Sequence, residues 1–188
     1  FIGKKSTRKG YDIFSAVADG MAVEAQSPLF VAIGDWHQSI SMPQRTSPNL
    51  VEMPFQSAIE RWYQAFDIFV MASRQEPFSR VNLEAAAAGC AIVATEVDGN
   101  LELFTHEQNA LLVPSGDAEA MANAVKRLAT DIELRHKLAD AAQKMVREHY
   151  TLEICHQKIL NALEDLLPSE CSFDQPANQP TSEPANRL

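Results

Sequence analysis

Two polar segments of this chain carry side chains suited to ligand chemistry. The first is Gly3-Lys4-Lys5-Ser6-Thr7-Arg8-Lys9-Gly10, which places four of the 16 Lys and Arg residues within the first ten positions and no acid among them. Positive charge just ahead of a helix, whose N-terminus adds partial positive charge of its own, outlines an anion site, with phosphate the expected anion. The second is Ser73-Arg74-Gln75-Glu76-Pro77-Phe78-Ser79-Arg80-Val81-Asn82-Leu83-Glu84. Glu76 precedes a helix and Glu84 lies about two turns into it, so both carboxylates can face one crevice. Pro77 presets the entry dihedral, and the N–H groups of Phe78, Ser79, Arg80 and Val81 belong to a first turn that lacks intrahelical acceptors, a second anion cradle.

The carboxylates have a different target. Like charges about 4 Å apart repel by about 4 kcal/mol at an effective dielectric near 20, so Glu76 and Glu84 are expected to face hydroxyls rather than phosphate. Each feature also has a structural reading: the lysines as a solvated loop, Glu76 as a favourable charge at a helix N-terminus, Glu84 as the i+4 partner of Arg80. The basic loop matches neither the P-loop pattern nor Gly-x-Gly-x-x-Gly. Cys90, Cys155 and Cys171 have no Cys-x-x-Cys spacing, and His37, His106, His136, His149 and His156 have no metal-ligand spacing, so no disulfide framework and no metal are expected.

These two segments need a scaffold, and the apolar pattern supplies one. Phe1-Ile2-Gly3 reads as the end of a strand, Gly10 to Glu24 as an amphipathic helix, and Leu29–Ile33, Leu50–Met53, Ile68–Met71, Ala91–Ala94 and Ala110–Val113 as strands. Ile68–Met71, apolar throughout, suits a parallel strand covered on both faces. Helices are expected over Ser57–Ala65 and Val81–Gly89. Three more open at Asp117, Asp131 and Thr151, with core faces Met121/Ala124/Val125/Leu128, Leu134/Leu138/Ala141/Met145 and Cys155/Ile159/Ala162/Leu163/Leu166. Asp35–Asn49 reads as an irregular insertion. The expected fold class is α/β, a doubly wound parallel sheet, with ligands outside the carboxyl ends of the strands. The expected domain spans 1–167, and 168–188, rich in Pro, Ser, Asn and Gln, reads as a disordered tail.

Composition narrows the partners. The 188 residues carry 16 Lys and Arg against 25 Asp and Glu, a net charge of −9, with 46% apolar and 22% charged residues. Those are globular proportions, and the acidity makes nucleic acid an unfavourable partner. No apolar run reaches the ~18 residues of a membrane span.

Taken in order, the motifs resemble the C-terminal, donor-binding domain of retaining glycosyltransferases of the GT-B fold, specifically family 4. The likeness rests on Gly3-Lys4 with Lys9-Gly10, Val31 to Asp35, Ala65 through Ser73, Glu76 with Glu84 seven residues between them, Gly89 through Thr95, Asn100-Leu101-Glu102-Leu103 and Asn109 through Pro114. The resemblance implies a nucleotide-diphosphate-sugar donor, with Lys4 and Lys9 holding the diphosphate, helped by the backbone near Phe78, Ser79, Arg80 and Val81. It implies that Glu84 bonds the ribose hydroxyls and Glu76 those of the donor sugar, so that Lys4, Lys9 and Glu76 form the catalytic set. It implies transfer of a hexose with retention, without metal or cofactor, since side-chain cations and helix ends neutralise the leaving diphosphate. It also implies a cytoplasmic or membrane-peripheral protein whose acceptor, a glycan, lipid or small molecule, binds an N-terminal domain outside this chain, without which the chain is expected to be incomplete and inactive.

Three positions depart from the family pattern. Lys4 replaces the usual Arg and loses its bidentate fork. Ser79 replaces a Gly in the helix-entry turn, and Pro54 lies near a usual Gly. The alternatives to donor binding are a degenerate, non-catalytic GT-B-like interaction module, or an unrelated doubly wound nucleotide-binding enzyme.

Overall fold

The computed structural model describes residues 1–23, 27–36 and 47–166. The chain divides into two compact units, Phe1–Tyr150 and a second that begins at Thr151. The first unit alternates as expected: α1 (Tyr11–Met21), β1 (Phe30–Ile33), β2 (Leu50–Met53), α2 (Ile59–Tyr63), β3 (Ile68–Met71), α3 (Arg80–Ala87), β4 (Ala91–Thr95), α4 (Asp98–Leu101), β5 (Leu111–Val113), α5 (Ala118–Thr130) and α6 (Ile132–His149). All strand pairing is parallel. β1 pairs with β2, Phe30 opposite Leu50, and β4 lies between β3 and β5, Ile68 opposite Ala91 and Val93 opposite Leu111.

The strands thus form two hydrogen-bonded groups, β1-β2 and β3-β4-β5. The expected strand end at Phe1-Ile2-Gly3 is present as a short extension of the first group. The Phe1 amine and the Gly3 N–H donate to Val31 O (3.1 Å) and Ile33 O (2.9 Å), and Ile2 bridges Ile33 in parallel. Among the described residues it pairs with nothing on β3. A cavity of about 550 Å³ lies there, lined by Phe1, Phe30, Val31, Ile68, Val70 and Val125 among others.

Both sheet faces are covered. Alternate strand residues point opposite ways, so Val70, Val93 and Leu111 pack with Phe14 and Val17 of α1 and Met121, Val125 and Leu128 of α5. Phe69, Met71, Ile92 and Leu112 pack on the other face with Ala85 and Ala86 of α3 and Ala142 and Val146 of α6. This two-sided burial is why β3, β4 and β5 read as nearly unbroken apolar runs. Asp117 and Asp131 cap α5 and α6 as expected, their carboxylates accepting from Ala120 N and Leu134 N, each at 2.9 Å. The buried stripe of α6 is Leu138, Ala139, Ala142 and Val146, one position out of phase with the expected Ala141 and Met145.

In the second unit Thr151 Oγ1 accepts from Ile154 N at 3.2 Å and caps α7 (Leu152–Glu164). The expected core face of α7 is not buried: Ile159 is 58% and Leu163 44% exposed. Spacing alone made that stripe, and burial needs an apolar surface opposite it. Of the irregular insertion, 37–46 with His37 lies outside the described residues, as does the expected tail at 168–188. The near end of that insertion is fixed by Asn49, whose amide donates to Ser27 Oγ (2.8 Å) and accepts from Ser47 Oγ (2.6 Å).

Candidate functional site

Both chemistry-bearing segments leave the carboxyl ends of strands in the first unit and meet. Lys9 Nζ donates to Glu76 Oε2 at 2.5 Å, joining the basic loop to the loop after β3. The Glu76 side chain is 7% exposed and the Lys9 side chain 22%. A carboxylate this buried needs a counter-charge, and Ser73 Oγ adds a longer contact at 3.4 Å. The Glu76 carbonyl accepts from Gly99 N at 2.9 Å, and a Cβ on Gly99 would lie 2.2 Å from that same oxygen. Glycine is therefore required where α4 crosses the Glu76 turn.

The remaining predicted residues are placed less uniformly. Lys4 is exposed and, among the described residues, bonds nothing. Its neighbour Lys5 is 3% exposed, with Nζ 3.9 Å from Glu52 Oε2, 3.4 Å from Met53 O and 5.6 Å from the Trp36 ring centre. Burial lowers the pKa of Lys5 against the opposing pull of Glu52 and Asp35. Phe78 is 41% exposed and Val81 half-buried. Ser79 precedes α3 without capping it, its Oγ buried and unpartnered. Arg80 N–H turns back to Phe78 O (3.3 Å), whereas among the described residues the N–H groups of Ser79 and Val81 have no acceptor. Two free donors at a helix entry are a cradle for an anion. Glu84 accepts from Tyr63 Oη at 2.9 Å, and Arg80 stands 3.9 Å from its other oxygen.

Sequence reading missed three supports. The Arg74 guanidinium grips both oxygens of Asp12 (2.8 and 2.6 Å) and donates to Thr7 O (2.6 Å), while Arg74 N–H donates to Arg8 O (2.9 Å). This clamp ties the basic loop to the Glu76 loop. Tyr63, read only as part of a helix, reaches Glu84. A buried relay runs from Asn82 to Asn100 (2.9 Å), Asn100 to Thr95 O (2.8 Å) and Thr95 to Ser73 O (2.6 Å), fixing the strand end beneath Glu76. Polar residues inside apolar runs, here Asn82 and Thr95, were the available signal.

Burial pushes the Asp12 carboxyl upward, but the hydrogen bonds and charge of Arg74 outweigh it and hold it below its ordinary value. The stability this lends is full above about pH 4 and fades as pH falls through the depressed folded value. Arg74→Met is expected to cost about 1–2 kcal/mol at pH 7, the pair being only partly buried. Thermal melts of the two proteins should converge towards pH 2. A gap of undiminished size at acid pH would remove the ion pair as its cause.

Parallel strands packed between helices, with the Lys9–Glu76 pair and unpartnered helix-entry amides at the strand ends, define a doubly wound α/β domain. The comparisons agree with that class. The profile described as "Glycosyl transferases group 1" matches residues 1–131, and the chain belongs to that family. It is 36% identical over 108 residues to the lipopolysaccharide core biosynthesis glycosyltransferase LpsE of Rhizobium meliloti, covering 56% of this chain and 30% of that one. It is 25% identical over 167 residues to the uncharacterized glycosyltransferase MJ1607 of Methanocaldococcus jannaschii, covering 86% and 43%. The chain thus spans less than half the length of these relatives. Its fold is similar to Anabaena Alr3699/HepE in complex with UDP (TM-score 0.77, 21% identity, 87% of this chain and 47% of that chain). It also resembles the C-terminal domain of the group 1 glycosyl transferase LpcC from Francisella tularensis (TM-score 0.70, 25% identity, 80% and 85%). The chain is a glycosyltransferase domain of GT-B type.

Among the described residues no helix is long and apolar enough to cross a membrane, and no group of three His, Cys, Asp or Glu side chains is placed to hold a metal ion.

Proposed function

We propose that this chain is the donor half of a retaining glycosyltransferase, binding a nucleotide-diphosphate sugar whose hexose passes to an acceptor held by another domain. The observation that carries the reading is the Lys9–Glu76 pair, a cation for phosphate and a carboxylate for hydroxyls 2.5 Å apart at the strand ends. In this reading Lys9, with Lys4 from the same loop, neutralises the diphosphate, and the free N–H groups of Ser79 and Val81 complete its cradle. Glu84 accepts from the ribose hydroxyls and Glu76 from those of the sugar. As the glycosidic bond breaks, negative charge builds on the leaving diphosphate, and fixed donors aimed there lower the barrier without metal. Glu76 orients the sugar. That HepE crystallised with UDP and with UDP-glucose makes a uridine donor a reasonable first probe.

Titration calorimetry of UDP, GDP, ADP and NAD against the chain tests the proposal. Binding of one nucleoside diphosphate in preference to the others and to NAD is expected. Tight NAD binding, or no binding by a cooperatively folding chain, would refute it.

A further inference from the structure

The geometry points to Tyr63 as a positioning residue that sets the Glu84 carboxylate for a vicinal diol, and so governs the site's preference for ribose. This rests on the donor reading above and deepens it. Tyr63 ends α2 and is 2% exposed, its ring edge-on to Phe69 of β3 at 5.7 Å. Its carbonyl accepts from the fully buried Cys90 thiol at 3.2 Å. Ring and backbone are both fixed, and the phenol reaches out of the core to a carboxylate whose side chain is 42% exposed.

Among the described residues no other side chain hydrogen-bonds the Glu84 carboxylate. Arg80 stands 3.9 Å from Oε1, beyond hydrogen-bond range, and its own side chain is 85% exposed. An exposed pair of this kind holds a carboxylate weakly. The phenol holds Oε2 at 2.9 Å, and that oxygen keeps a second lone pair. Both carboxylate oxygens thus stay able to accept while the group is prevented from rotating. Burial first, and Glu84 second, push the Tyr63 hydroxyl well above its ordinary range, so it remains a donor throughout the working pH. Burial likewise pushes the Cys90 thiol up to about 11, keeping that contact intact.

The test compares UDP, GDP and ADP with their 2′,3′-dideoxy counterparts by calorimetry on the full chain, with Tyr63→Phe, Glu84→Ala and the double variant. The wild type should prefer the ribose form of its diphosphate by roughly tenfold or more, and Tyr63→Phe should cut that preference to about two- or threefold. Affinity for the dideoxy form should not change. That constancy separates positioning from damage to the fold, which would weaken both ligands alike. In the Glu84→Ala background Tyr63→Phe should add nothing. A Tyr63→Phe protein with the full ribose preference overturns the inference while leaving the donor reading standing. A wild type that binds no diphosphate overturns both, and one that binds without ribose preference removes the role of Glu84 and with it that of Tyr63.

Discussion

Gly10→Ala lowers the melting temperature by roughly 10 °C or more, the expectation for a loss of about 3–5 kcal/mol in a chain of this size. Gly10 lies at φ +69°, ψ +26°, immediately before α1. That left-handed conformation costs an L-residue about 1–2 kcal/mol. The larger part is steric. A Cβ at position 10 would lie 1.8 Å from Ala72 O and 2.4 Å from Ala72 C, backbone atoms at the end of β3 that cannot rotate away. Either α1 lifts from the strand, carrying Tyr11 and Phe14 out of the core, or Ala72 moves and takes Ser73 and Glu76 with it. The basic loop and the Glu76 loop are therefore disturbed together. A melting curve followed by circular dichroism checks this, and a Gly10→Ala protein that melts within a few degrees of wild type would show that the close approach is dispensable.

The second large effect concerns the ion pair at the site. Lys9→Ala should weaken nucleoside diphosphate binding roughly thirtyfold to hundredfold, the scale of one lost charge-assisted interaction. Glu76→Gln should behave in the opposite sense towards the diphosphate alone. It releases the Lys9 ammonium from a 2.5 Å partner, so UDP affinity is expected to hold or to rise a few-fold. It should at the same time abolish whatever advantage UDP-glucose has over UDP, because the amide halves the acceptor capacity offered to sugar hydroxyls. Two variants of one hydrogen bond with opposite effects on the same ligand are hard to obtain from general damage. Calorimetry with both ligands on both variants supplies the measurement, and equal losses in the two proteins would contradict the division of labour between cation and carboxylate.

Much of this was legible in the sequence where a single local rule decides the outcome. Asp117, Asp131 and Thr151 cap their helices because each stands just ahead of an amphipathic run. Ile68–Met71 forms a buried strand because no polar side chain interrupts it. Lys9, Glu76 and Glu84 were readable as a set of charges at strand-to-helix junctions. The rest depended on phase or on a partner far along the chain. Lys4 and Lys5 are chemically equivalent neighbours, but an extended backbone sends them to opposite sides. The phase is set by Lys5 N–H donating to Asp35 O at 2.9 Å, so Lys5 is buried and Lys4 exposed. Tyr63 reaches Glu84 across 21 residues and Arg74 reaches Asp12 across 62. No periodicity records such meetings. The apolar face expected of α7 is exposed at Ile159 and Leu163.

The division of the strands into two groups has a mechanical consequence. Among the described residues no ladder hydrogen bond joins the β1-β2 group to the β3-β4-β5 group. Lys9 is carried by the segment bonded to β1, and Glu76 by the turn that follows β3. The two groups are joined by the core that packs Phe14 and Phe30 with Val70 and, at the carboxyl end, by the Arg74 clamp, Gly10 against Ala72 and the Lys9–Glu76 bond. Because Lys9 and Glu76 belong to different strand groups, a ligand that contacted both side chains would also bridge the two groups.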